Sequence, residues 1–254
     1  MSPLFLSYCG ALGIGIGIAA VLREGRLSFW TIVGVLTSVV SLFPFLMGAS
    51  RGSIIAIVLP ITFLVATMRG RLVIPAMIVS VIMILATVYA SNFLGSSLFG
   101  RFLNIQESIQ AEAGEASRIF LWQSSLQQFW EAPIFGNSLE NLTFHYYPHN
   151  ILLEVMISTG ILGLAPFTIL LFAALRRSYL ILKDRPQHFW VVVLFLQSLA
   201  QSLFSGALYT QTWLAISLAL VAVVWRSKPS IHQYSSRSPM IIRQGTVGSR
   251  KTTW

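Results

Sequence analysis

Arg118, His149 and Glu154 are side chains that could do chemistry, and they fall in one stretch of an otherwise apolar chain. Arg118 stands near the start of a helix expected over 116–131. A cation there opposes the helix macrodipole. It can nonetheless hold an anion, because the first backbone N–H groups and the guanidinium would point the same way. His149 opens the next apolar run, and an imidazole suits proton abstraction near neutrality. Pro148 fits the first turn of a helix, and Asn150 and Glu154 follow within a turn or so. An ionisable residue in an otherwise apolar segment is a functional candidate by default. Each of these residues also has a plain structural reading. His149 can finish a helix end, Arg51 can anchor the turn Ser50-Arg51-Gly52, and Glu154 can pair with Arg51 or Arg118. Arg101 reads as a solvated or headgroup-binding charge, and His145, Tyr146 and Tyr147 as interfacial aromatics that shape the rim of a site. The single cysteine, Cys9, lies in an apolar run, which excludes an intramolecular disulfide and a thiolate cluster. With no Asp on the Arg118 side and no Asp-x-Asp spacing, no metal and no cofactor is expected.

The elements that must position these residues are membrane helices. The chain is 55% hydrophobic and only 10% charged, with a mean hydropathy of +0.74, whereas soluble domains carry about 25% charged residues. The expected fold is all-α, a polytopic bundle of seven spans at 4–22, 27–48, 53–68, 72–94, 150–175, 188–208 and 210–225, the third and seventh being short for a bilayer. Gly and Pro within spans are tolerated where neighbouring helices satisfy the freed backbone groups.

Basic residues set the orientation. Fourteen of the seventeen Lys and Arg fall in alternate loops and in the tail, and only Arg51, Arg101 and Arg118 face the other way. By the positive-inside rule the fourteen belong in the cytoplasm. The N-terminus, the Ser50-Arg51-Gly52 turn, the 95–147 loop and the 206–211 turn are then extracytoplasmic, and five of the eight acids lie in the 95–147 loop. Residues 1–225 read as the membrane domain. Residues 226–254, basic and rich in Ser, Thr and Gly, read as a disordered cytoplasmic tail attracted to lipid. The net charge of +9 is a topology signal rather than a nucleic-acid footprint, because it is split among loops and a tail. An outward N-terminus without a basic flank, with an odd number of spans, leads us to expect helices ahead of Met1.

Within the loop, Ile119, Trp122, Leu126, Phe129 and Trp130 recur at i+3 and i+4 spacing and share one face of the 116–131 helix. Gln123, Ser124, Gln127 and Gln128 lie on or near the other. Ser117 or Glu115 could cap its start, and Pro133 ends it. The two Trp suit the headgroup level of a membrane.

Three outward elements then line up. They are Ser50-Arg51-Gly52; Ser117-Arg118-x-x-x-Trp122 followed by Pro133-Ile134-Phe135-Gly136; and Pro148-His149-Asn150 followed by Gly160-Ile161-Leu162-Gly163. In this order the set resembles the O-antigen ligase and polymerase superfamily of polytopic membrane glycosyltransferases, over roughly residues 30–225 and most closely at 117–163. The resemblance implies transfer of a glycan from an undecaprenyl-pyrophosphate carrier to an acceptor hydroxyl, at the outer face of the bacterial inner membrane and without a metal. By position, Arg51 and Arg118 would bind the pyrophosphate, and His149 would assist acceptor deprotonation or orient the donor. Glu154, Asn150 and Tyr147 would support them. The implied partners are a polyprenyl-pyrophosphate-linked glycan donor, a glycan or lipid acceptor and membrane lipids, with no nucleic acid. Members usually have ten or more spans.

Two alternatives stay open. In a small-solute or bicarbonate-type transporter, Gln197 and Gln201, with Ser198, Ser202 and Ser205, would line a path, although such residues more often serve as interhelical hydrogen-bond glue. The other alternative is an inactive partial member of the superfamily or a partner subunit.

Overall fold

A computed structural model describes residues 3–24, 28–48, 51–67 and 118–227. They form helices α1 (Pro3–Glu24), α2 (Phe29–Gly48), α3 (Arg51–Thr67), α4 (Arg118–Glu131), α5 (Ile151–Asp184), α6 (Phe189–Phe204) and α7 (Thr212–Arg226), with 3-10 turns at Pro186–His188 and Leu208–Thr210. Among the described residues there is no strand, only an isolated bridge between Asn141 and Tyr146. The regular structure of the described residues is helical, as expected. Four stretches, Phe5–Arg23, Phe29–Met47, Ile151–Asp184 and Pro186–Phe204, are long and apolar enough to cross a membrane, and Gly52–Thr67 and Thr212–Arg226 are shorter apolar helices. The expected span at 72–94, Arg101, and the tail beyond Ser227 lie outside the described residues.

One expected boundary is corrected. The span read as 150–175 runs on as helix to Asp184; beyond the break at Gly160, the 24 residues Ile161–Asp184 cover roughly 36 Å at 1.5 Å per residue, against a hydrocarbon core of about 30 Å. The extra turns carry Arg176, Arg177 and Lys183 among Leu and Ile. Most of these are good helix formers, and nothing interrupts them before Pro186.

Close packing begins at α1. Gly10, Gly13 and Gly17 line the face towards α2, where an added Cβ would strike the Phe45 backbone, Ser41 and the Gly34 carbonyl. Small residues of this kind let helix backbones touch, which is how association proceeds where burial from water gives no drive. Ser7 Oγ donates to the Phe45 carbonyl (3.1 Å) and pairs with Ser53 Oγ (2.6 Å), joining α1, α2 and α3. Gln197 Nε2 donates to the Tyr8 carbonyl at 2.7 Å and sews α6 to α1, the glue role rather than a lining one. A second apolar core joins Ile151, Val155, Leu171, Phe195, Leu196, Leu214 and Val221 of α5, α6 and α7. On its outer face α2 leaves Trp30, Leu36, Val40 and Phe43 exposed, a face suited to hydrocarbon.

The helix ends sort into two groups. The Arg23 guanidinium, in the last turn of α1, lies 5.5 Å over the Phe189 ring at the start of α6. Arg185, just after α5, donates to the Val224 carbonyl and to Ser227 Oγ (2.9 Å) at the end of α7. These basic ends therefore gather at the Phe189 end of α6. Arg118 and His149 lie at its other end, Phe204.

Candidate functional site

Two of the motif pieces quoted above clasp each other. Gly160 breaks α5 with φ 61° and ψ −156°, a left-handed φ that strains any side chain but hydrogen. The break frees backbone groups that the 133–138 loop then takes up. Ile161 N–H donates to the Pro133 carbonyl (2.8 Å) and Asn137 N–H to the Ile157 carbonyl (2.9 Å). Gly136 also has positive φ (71°). A Cβ on Gly136 would strike the Ile157 carbonyl, and one on Gly160 would strike the Ile134 carbonyl. Pro133-Ile134-Phe135-Gly136 and Gly160-Ile161 are thus two halves of one joint, which docks α4 against α5.

α4 is described from Arg118 onwards; the expected first residues of the helix and the suggested caps, Ser117 and Glu115, lie outside the described residues. Apolar and polar residues share both faces of α4. Leu121, Ser125 and Gln128 are the buried residues, while Ile119, Phe120, Leu126 and Trp130 (73%) are exposed. The inward polar residues are fully used. Gln128 Nε2 donates to Asn137 Oδ1 (2.8 Å) and its Oε1 accepts from Leu142 N–H (2.9 Å). Fully buried Asn141 donates to Ser124 and Ser125 (both 3.1 Å) and accepts from the Thr143 and Phe144 amides (both 3.0 Å). This network folds residues 137–146 back along α4 and delivers the chain to His149.

His149 is held from both sides. Trp122 Nε1 donates to the Pro148 carbonyl at 2.7 Å, and Asn150 caps α5 by accepting from the Leu152 and Leu153 amides (3.0 and 3.2 Å). Between them His149 takes φ 54°, an uncommon conformation for a side chain that is not glycine. Its Nδ1 lies 3.0 Å from the Gly206 carbonyl. A carbonyl only accepts, so Nδ1 carries the proton in this bond, and a neutral ring then keeps its lone pair on Nε2. The Tyr146 ring meets the imidazole edge-on, with centroids 5.2 Å apart.

Arg118 reaches the same turn. Its Nη1 donates to the Phe204 carbonyl at 3.3 Å, and the side chain is exposed. The start of α3 is there too, since a Cβ on Gly52 would stand 3.6 Å from Phe204 Cβ. The side chain of Arg51, the residue before Gly52, lies outside the described residues. Hence the end of α6, Phe204 to Gly206, is where the three sequence elements around Arg51, Arg118 and His149 converge. Sequence reasoning set an outward turn at 206–211 but gave it no part in the site. Its one signal is Ser205-Gly206 between two apolar runs, with Gly206 at φ 81°.

Glu154 is 1% exposed, and its carboxylate is not paired with Arg118; the Arg51 half of the expected pairing lies outside the described residues. Oε2 accepts the Leu208 amide, and Oε1 is buried without a hydrogen bond. The carboxylate sits one turn into α5, beneath the Leu208–Thr210 turn, whereas Arg118 is out on the surface. It therefore braces that turn. Gln211 adds to the brace, donating to the Ser205 carbonyl (2.9 Å) and accepting from Ser202 (2.7 Å). The rings of Tyr147 and Tyr209 meet above it, centroids 5.5 Å apart. The Tyr147 phenol is pushed above its ordinary value by desolvation first, then by Tyr209, Glu140 and Glu154, so it remains a protonated donor.

His145 and His149 stand four apart, a spacing that in a helix would put two imidazoles on one face. Both have positive φ and the segment between them is not helical, so the helical argument does not apply. Among the described residues, no three His, Cys, Asp or Glu side chains gather as metal ligands.

A family profile described as O-antigen ligase matches residues 36–168, just over half of the chain. The chain belongs to the O-antigen ligase family. At that level it is a bacterial membrane protein of the glycosyl-transfer type, with lipid-linked glycan and acceptor as its general substrates. The matched residues of this O-antigen ligase family member include Arg51, Arg118, His149, Glu154 and both halves of the Gly136–Gly160 joint; the Phe204–Gly206 turn lies outside them. No curated protein and no solved structure matches the chain.

Proposed function

We propose that this O-antigen ligase family member transfers a glycan from a polyprenyl-pyrophosphate carrier to an acceptor hydroxyl at the extracytoplasmic face of the inner membrane. The reading rests on one observation above all. Arg118 and His149 hang from carbonyls two residues apart, those of Phe204 and Gly206. That pairs an anion-binding group with a proton acceptor. In the reaction the acceptor oxygen bonds to the anomeric carbon as the bond from that carbon to the pyrophosphate oxygen breaks. His149 Nε2 takes the acceptor hydroxyl proton. Arg118, with Arg51 from the start of α3, neutralises the charge that develops on the pyrophosphate, and guanidinium forks suit this because they bind phosphate oxygens bidentately. The exposed apolar residues of α4, with Trp130, suit a helix at headgroup level, where a lipid-held donor can arrive from the side. Asn150 and Tyr147 support His149, the first by fixing the helix start and the second as a rim donor. On this reading the fourteen-residue basic set is cytoplasmic.

The test is substitution in a cell that depends on this protein for a surface glycan. Arg118→Ala and His149→Ala are each expected to cut glycan attachment or length by about a hundredfold or more, with the protein still in the membrane. Arg118→Lys is expected to restore part of it. Unchanged glycan in both alanine variants would sink the mechanism. A ligase would leave lipid-linked glycan accumulated, and a polymerase would leave graded shorter chains.

A further inference from the structure

We infer that Tyr209 and Tyr147 form a sugar-binding platform beside His149, which takes the pyranose ring of a glycan substrate. The inference rests on the proposed glycosyl transfer, and it names a subsite which that reading does not supply. Tyr209 is 74% exposed, yet the turn that carries it is fixed on several sides. Leu208 N–H is held by buried Glu154. Thr210 Oγ1 accepts from the Ala207 amide (3.1 Å) and donates to the Ala207 carbonyl (2.7 Å). Gln211 ties down the Ser205 carbonyl. A buried carboxylate that braces a turn by its backbone, while one oxygen stays unpartnered, is a costly arrangement for a merely decorative surface tyrosine. The turn is also continuous with Gly206, whose carbonyl holds the His149 ring. Tyr147, two residues before His149, supplies the second ring.

The ring geometry suits a sugar. The two planes meet at 61°, edge to face, with centroids 5.5 Å apart, so the contact covers at most one of the four ring faces. An aromatic face is electron-rich and attracts the C–H face of a pyranose, while phenol hydroxyls can bond its rim hydroxyls. A belt tyrosine at the membrane interface needs only an apolar body and a wet tip. It needs neither a locked turn nor a second ring.

The experiment uses the full chain in nanodiscs and saturation-transfer NMR with a panel of methyl hexopyranosides. The expected result is transfer to ring C–H protons, reduced about two- to tenfold in Tyr209→Ala and retained in Tyr209→Trp. Equal signal in Tyr209→Ala and the parent protein, or no transfer to any glycoside in the parent, would overturn the platform. In a glycan-transfer assay Tyr209→Ala is expected to raise one KM with kcat kept. A rise for the acceptor and a rise for the donor each support the platform and identify which ring lies there; no change in either overturns it. The two readings fail separately. Glycan output that is unchanged in Arg118→Ala and His149→Ala removes the transfer mechanism even if Tyr209-dependent saccharide binding persists.

Discussion

The tautomer of His149 is set by a backbone carbonyl, not by an acid. Gly206 can only accept from Nδ1, so the lone pair faces away on Nε2, where an acceptor hydroxyl can meet it. His149 and Arg118 were legible in the sequence because each is a chemically loaded side chain at an apolar boundary. Their anchors were not, because Phe204 and Gly206 act through backbone carbonyls, which leave no mark on residue type and lie 86 and 57 residues away. Glu154 was half legible. Its depth in an apolar run marked it, but its partner is an amide of Leu208. Replacing it separates charge from bracing. Glu154→Gln keeps an oxygen for the Leu208 amide and should retain most thermal stability. Glu154→Ala leaves that amide unmatched and should cost about 1–3 kcal/mol, read as a lower Tm of the purified protein. Equal Tm in the two variants would show that the carboxylate does not brace the turn.

Elements are governed here by solvent identity. The i+3 and i+4 stripe on α4 predicted a helix correctly, but Ile119, Leu126 and Trp130 of it are exposed, while Trp122 turns in to the Pro148 carbonyl. The polar residues Ser125 and Gln128 of α4 pack inward onto Asn141 and Asn137. Periodicity reports a face but not which side is covered by protein, and that depends on whether water or lipid lies outside. The same limit hid the Gly160 joint. Gly-Ile-Leu-Gly reads as an ordinary stretch of a span, and only a left-handed Gly160 lets the Pro133 and Ile134 carbonyls reach the Ile161 and Leu162 amides. Gly160→Ala should therefore break the joint, through about 1–3 kcal/mol for a backbone conformation that is essentially glycine's alone and a further clash with the Ile134 carbonyl. Proteolysis should then cut the 133–147 segment faster than in the parent protein. An unchanged cleavage rate would contradict the joint.

At the scale of the molecule, α6 is the axis that separates a basic end from a site end. Arg23 and Arg185 mark the first, Phe204 and Gly206 the second. Arg23 and Arg185, at one end, are both in the set that the charge asymmetry of the loops assigns to one side. The distribution of contacts among helices was not foretold, because small-residue seams such as Gly10–Gly17 depend on which helix comes to lie opposite. On a Cys9→Ala background, Thr210→Cys should react with an impermeant maleimide added to intact spheroplasts, and Lys183→Cys only after the membrane is opened. The reverse pattern would invert the proposed orientation. The central claim, that His149 on the Gly206 carbonyl is the proton acceptor of a glycan transfer, is tested most directly by His149→Asn in liposomes, with the full chain and the host's lipid-linked glycan. The Asn amide can replace the Nδ1 donor but not the Nε2 base. We predict a Tm close to the parent value and a transfer rate lower by about a hundredfold or more. A rate within about twofold of the parent would contradict the claim.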